Sequence, residues 1–219
     1  MGQRKIKAFE KLAELLYPSD VFCYACGEET FGKGKNLLCK KCLEKLEKAK
    51  NPKTYGQVGT FSYCMYGEFS RNMILRAKDG DEPHLLRVMA TCVNELLAAE
   101  GISGEEIAYV PSMKKTVRRR GYDHMKKEAR VLSELTGIPV LKGLKRVSVS
   151  ADQTALKYEE RFENVKNDFC YDGEDLSGKT IILIDDVVTS GATLNACAVA
   201  LRKANPTAVI GVTFARSHE

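Results

Sequence analysis

Ile181-Ile182-Leu183-Ile184-Asp185-Asp186-Val187-Val188-Thr189-Ser190-Gly191-Ala192-Thr193-Leu194 places three kinds of chemistry in one short run. Four aliphatic residues in succession read as a central strand buried on both faces, as in a parallel sheet covered by helices. Two carboxylates follow, expected where the strand leaves the sheet, which is where open α/β folds bind ligands. Asp185 and Asp186 can accept hydrogen bonds from the vicinal hydroxyls of a sugar or hold a hydrated Mg²⁺. Thr189, Ser190, Gly191, Ala192 and Thr193 are short residues centred on a glycine. They fall at the N-terminus of the next helix, where unpaired N–H groups and the helix dipole favour a phosphate. Either half alone reads as a buried strand or a helix cap. Acids and then a cradle, in that order, fit a sugar phosphate.

On both sides of this run the chain alternates strand and helix patterns. Residues 107–110 form a short buried strand stopped by Pro111, and 122–135 an amphipathic helix closed by Gly137. A strand is expected over 139–144, a polar helix over 153–165, a helix over 193–204 and a last strand over 208–214. Upstream, 59–66 suits a strand, followed by helical patterns at 73–75 and 85–97. The order implies an α/β fold with a mostly parallel sheet flanked by helices. A helical pattern at residues 6–16 precedes a cysteine-rich stretch, and Asn51-Pro52-Lys53 reads as a linker. The expected domains are therefore 1–52 and 53–219.

Between the strand at 107–110 and the helix at 122–135 lies a dense positive loop carrying Lys114, Lys115, Arg118, Arg119 and Arg120. Arginine suits pyrophosphate because its planar fork makes paired, charge-assisted bonds. Such a run also suits a nucleic-acid backbone, or is simply solvated. His84, His124 and His218 stand apart from any nucleophile or ligand spacing, so none is assigned a catalytic role.

Cys23 and Cys26 form one CxxC pair, and Cys39 and Cys42 a second, with twelve residues between the pairs. Two such knuckles match a four-thiolate zinc ribbon, in which each tight turn presents two sulfurs. Four protein ligands leave no open position, so the metal is expected to be structural. A redox CxxC and four unrelated thiols are the other readings. Cys64, Cys92, Cys170 and Cys197 sit among apolar neighbours and are expected in the core.

The 219 residues include 44% hydrophobic and 29% charged side chains, which argues against wholesale disorder. A net charge of +5 is a mild preference for anionic partners and nothing stronger. No stretch reaches the roughly 20 apolar residues of a spanning helix, and no signal-peptide core is visible, so a cytoplasmic location without membrane insertion is expected.

The run from 181 to 194 resembles the signature of type I phosphoribosyltransferases. The wider arrangement resembles the ComF family of bacterial competence proteins: the cysteine ribbon, Val110-Pro111 with Arg120-Gly121-Tyr122-Asp123, Gln153 with Arg161-Phe162-Glu163-Asn164-Val165, then the phosphoribosyl signature. The resemblance implies that Asp185 and Asp186 meet the ribose of 5-phosphoribosyl-1-pyrophosphate, with Mg²⁺, and that residues 189–193 hold its 5′-phosphate. It places the pyrophosphate-binding loop at the basic run, Gln153, Arg161 and Asn164 facing the pocket, and Lys78-Asp79-Gly80-Asp81 at the pocket's edge; read on its own, that last run is a turn. It implies an accessory role in DNA uptake, with single-stranded DNA and uptake proteins as partners. An active phosphoribosyltransferase acting on a nitrogen acceptor is the alternative, although no acceptor-base motif is visible. A regulatory sensor of the same ligand is a third reading, for which no DNA-reading segment is visible.

Overall fold

The computed structural model describes residues 22–29, 37–79, 82, 84–147 and 168–218. The expected helix at 6–16, the segment with Gln153, Arg161 and Asn164, and the Gly80-Asp81 pair lie outside the described residues. The chain divides into two compact units, Met1–Lys45 and Leu46–Glu219. Residues 46–52 are tied to the strand at Val58–Met65 without being part of a strand themselves. Met65 N–H donates to the Glu47 carbonyl at 2.7 Å, and Lys48 bridges Cys64. Asn51, expected in a linker, instead completes the edge of the sheet. Its carboxamide accepts from Ser62 N–H and donates to the Ser62 carbonyl, both at 2.9 Å.

In the first unit a bridge between Phe22 and Glu29 closes one cysteine knuckle, and helix α1 (Lys40–Glu44) starts directly after Cys39. The second unit runs β1 (Lys53–Tyr55), β2 (Val58–Met65), α2 (Glu68–Asp79), α3 (His84–Ala99), β3 (Glu106–Tyr109), α4 (Lys114–Arg120), α5 (His124–Thr136), β4 (Leu144–Arg146), β5 (Phe169–Tyr171), β6 (Thr180–Val188), α6 (Ala192–Arg202) and β7 (Ala208–Arg216). Five strands form the main sheet in the order β1-β2-β7-β6-β3, parallel except for the edge strand β1. β4 and β5 form a separate antiparallel hairpin.

β6 lies between two parallel neighbours, and Ile181, Ile182, Leu183 and Ile184 are all buried. Its apolar run is continuous because both faces are covered. Ile181 and Leu183 join Leu194, Ala196, Cys197 and Leu201 of α6 in one core cluster. On the other side lie α3 and α5, the latter started by Asp123, whose side chain accepts from the N–H groups of Met125 and Lys126, and stopped by Gly137 in the left-handed conformation.

Four local expectations change. The strand at 180–184 continues to Val188, because β7 runs alongside and pairs Asp185 with Thr213, Val187 with Ala215 and Val188 with Arg216. The positive loop winds into α4, ended by Gly121, whose N–H donates to the Val117 carbonyl. Residues 139–144 give only a bridge between Ile107 and Val140, with β4 beginning at Leu144. Cys64, Cys92 and Cys197 are core residues as expected, whereas Cys170 is half-buried in β5 opposite Lys145. No helix among the described residues is long and apolar enough to cross a membrane.

Candidate functional site

Because β6 extends through the acid pair, Asp185 and Asp186 occupy successive strand positions and point to opposite faces. Asp185 is half-buried and lines a polar cup of about 30 Å³ with residues 187–194. Asp186 is buried, 5% exposed, on the side of α2 and α5.

The cup is made by the turn from β6 into α6. Gly191 caps the helix with φ 71°, and a Cβ added there would lie 2.3 Å from Tyr55 Cβ. Glycine is therefore required twice, by the left-handed backbone and by β1 pressing on the turn. Thr189 and Ser190 are exposed and Thr193 is half-buried. The first-turn N–H groups of Thr193 and Leu194 have no carbonyl one turn behind them, which leaves donors at the cup as the phosphate-cradle reading requires.

Asp186 is surrounded. Lys78, on the last turn of α2, reaches its Oδ2 at 2.7 Å, and His124 Nε2 donates to the same oxygen at 2.8 Å. His124 Nδ1 lies 3.4 Å from Ser112 Oγ, which donates to Asp123 Oδ1 at 2.8 Å. Burial works against ionising Asp186, but the His124 hydrogen bond and the Lys78 ammonium outweigh it and hold the group below the usual carboxylate range. Burial and the Asp186 charge push Asp185 well above that range, against the pull of the Asp186 N–H, Lys78 and Arg146. Glu128 of α5 is 1% exposed and its Oε2 has no hydrogen-bond partner. Burial, then the charges of Asp186 and Asp185, push it well above the usual carboxylate range. Of the three acids, Asp186 alone is held below that range.

His124 was given no role from the sequence. Nothing in the sequence pairs it with Asp186, 62 positions away, although its place directly after the capping Asp123 fixes which way it points. Lys78 was visible only as part of a polar run. The basic residues divide. Lys114, Lys115, Arg118 and Arg119 are exposed on α4, whereas Arg120 is turned away to Asp79 at 3.5 Å with its side chain 15% exposed. Lys114 and Arg118 line a groove of about 430 Å³ together with Ser112 and Arg146.

The second candidate is the cysteine cluster of the first unit. The Sγ atoms of Cys23, Cys26, Cys39 and Cys42 all lie within 4.8 Å of one another, and Cys26 alone is exposed. Four thiolates on Zn²⁺ at about 2.3 Å sit roughly 3.8 Å apart, so this set fits a tetrahedral ion. Cys39 N–H donates to Cys23 Sγ at 3.3 Å. Burial raises the Cys23 thiol, but backbone N–H groups of Cys39, Cys26 and Ala25 outweigh it and bring the group down to about 6. Burial and the neighbouring sulfurs push Cys42 up. Among the described residues this is the one group of such side chains able to hold a metal ion.

Residues 116–219, which include the acid pair and the turn after β6, match the phosphoribosyl transferase domain family. The chain is similar to Competence protein F of Haemophilus influenzae, 35% identical over 88 residues. That match covers 39% of this chain and 38% of the relative, so the chain spans about two fifths of that protein's length. Among solved structures, the allosteric regulatory enzyme of purine biosynthesis aligns at 19% identity and TM-score 0.41, over 59% of this chain and 26% of its own. Glutamine phosphoribosylpyrophosphate amidotransferase from B. subtilis aligns at 21% identity and TM-score 0.40, over 58% and 26%.

Two outcomes are expected. Gly191→Ala should cost roughly 1–3 kcal/mol in urea unfolding because it forces a side chain into a strained, occupied position. Replacing Tyr55 by leucine should not rescue it, since the Cβ that collides remains. Glu128→Gln should stabilise the protein increasingly as pH rises. The raised folded pKa means that the stability carried by the protonated carboxyl is fully present below the unfolded value of about 4.3 and is lost above it. Urea unfolding at pH 4, 6 and 8 should show the variant's advantage growing with pH. An advantage independent of pH would count against a buried neutral acid.

Proposed function

We propose that this chain is a ComF-like protein that binds 5-phosphoribosyl-1-pyrophosphate with Mg²⁺ and acts as an accessory factor in DNA uptake. The observation that carries the ligand reading is the cup at the end of β6, with Asp185 at its wall and unpaired helix N–H groups at its base. The 5′-phosphate takes the N–H groups and hydroxyls of Thr189, Ser190, Gly191, Ala192 and Thr193. Asp185 accepts from the ribose hydroxyls, with Asp186 behind it, and Lys114, Lys115, Arg118 and Arg119 face the pyrophosphate; Arg120 contributes through Asp79. Mg²⁺ held by Asp185 and the ligand would neutralise charge on the pyrophosphate. The DNA-uptake role rests on the likeness to Competence protein F. Exposed cations on α4 also suit the phosphates of single-stranded DNA. A cytoplasmic location follows from the same reading.

An active transferase is the second reading, favoured by the groove beside α4, which has room for a departing pyrophosphate or an acceptor. Lys114 and Arg118 would take up charge as the bond to pyrophosphate loosens, while Asp185 keeps the ribose oriented for attack by a nitrogen acceptor. The cysteine unit is read as a structural zinc ribbon at residues 1–52, ahead of the transferase-like domain at 53–219.

Titration calorimetry should show phosphoribosyl pyrophosphate binding that requires Mg²⁺ and falls about tenfold in Asp185→Ala, as loss of a hydrogen-bonding group at the ribose predicts. Pyrophosphate release only when a nitrogen acceptor is present would select the transferase; binding without turnover would select the accessory role. No binding at all would end both. Metal analysis of the purified protein should find one zinc per chain, and finding none would remove the ribbon.

A further inference from the structure

Asp186 Oδ2 accepts from two side chains that differ in how firmly they are held. His124 is 7% exposed, buried under α5, and flanked by Ser112 on its other nitrogen. The Lys78 side chain is 24% exposed and hangs from a flexible stem at the end of α2. The backbone beneath it is fixed. Tyr122 Oη donates to the carbonyls of Ala77 and Lys78 at 3.0 and 3.2 Å, and Arg120 pairs with Asp79 at 3.5 Å. These bonds latch the end of α2 to the junction of α4 and α5, so Lys78 stands beside the exposed cations of α4. The phosphate cup lies on the opposite face of β6, with Asp185. A cation on the Asp186 side is therefore placed for the end of the ligand remote from the 5′-phosphate.

We propose that Lys78 is a transferable cation, which neutralises Asp186 when the site holds no ligand and turns to the pyrophosphate when 5-phosphoribosyl-1-pyrophosphate binds. It is thereby the residue that distinguishes this ligand from ribose 5-phosphate. The inference rests on the function proposed above. Two features permit the exchange. Asp186 keeps the His124 hydrogen bond when Lys78 leaves, so no buried carboxylate is orphaned. Burial pushes the neighbouring acids Glu128 and Asp185 well above the usual carboxylate range, which leaves Asp186 as the chief competitor with a polyanionic ligand for the ammonium. While Lys78 stays on Asp186 its charge is spent internally, and ribose 5-phosphate, lacking the second anionic group, gives it no reason to move.

Calorimetric titration of the full chain with Mg²⁺ and either ligand tests this. Lys78→Met keeps the stem and removes the charge; Lys78→Gln also keeps a donor for Asp186. Both variants should bind phosphoribosyl pyrophosphate about 10- to 100-fold more weakly, as expected for losing a charged hydrogen bond. Ribose 5-phosphate affinity should change by less than about threefold, since the lost bond involves a group it lacks. If the wild type binds neither ligand, the proposed function itself falls. If the wild type binds both, and the variants lose both equally, lose neither, or fail to fold by circular dichroism, Lys78 is structural and this inference alone is overturned.

Discussion

A carboxylate buried behind the C-terminal end of a central strand must be balanced by protein groups, because water cannot reach it to do so. Asp186 is that carboxylate, and much of the arrangement around β6 follows from it. α2 has to end where Lys78 can reach, and α5 has to begin where His124 can donate. The bonds from Tyr122 and Arg120 to the last turn of α2 hold those two helix ends together. Asp186 thus has two donors on one oxygen, and burial beside its charge pushes Glu128 and Asp185 well above the usual carboxylate range.

Strand geometry then divides the acid pair. Side chains alternate across a strand, so neighbours in sequence cannot share a face while the ladder persists, and pairing with β7 makes it persist to Val188. Asp185 is left at the turn into α6 and Asp186 among the helices. The turn is shaped from outside the β6–α6 segment as well: Tyr55 of the edge strand fills the space any side chain at 191 would need. The candidate site therefore draws on β1, β6, α2, α5 and α6 together, with the exposed charge of α4 beside it.

The cysteine unit follows a different logic. A stretch this short buries little apolar surface, and its four sulfurs gather within one another's reach because each knuckle turns back on itself, with backbone N–H groups directed at Cys23. Four sulfurs held this close are favourable as thiolates when a cation offsets their charge.

What could be read from the residues alone was whatever depends on local pattern. The apolar run at 181–184, the glycine-centred turn, the helix closed by Gly137 and the paired CxxC knuckles are set by periodicity, backbone freedom and ligand spacing within short windows. They sufficed for the fold class. Other features waited on long-range contacts: that β6 runs on through both aspartates depends on β7, and that Arg120 turns from the ligand side depends on Asp79. His124 looked isolated because its partner is far along the chain, and Lys78 looked like part of a polar turn because its carboxylate lies in another element. Ion pairing across a domain leaves no periodic trace in sequence, since it requires only that two chain segments arrive at one place, and that is decided when the sheet and its helices pack.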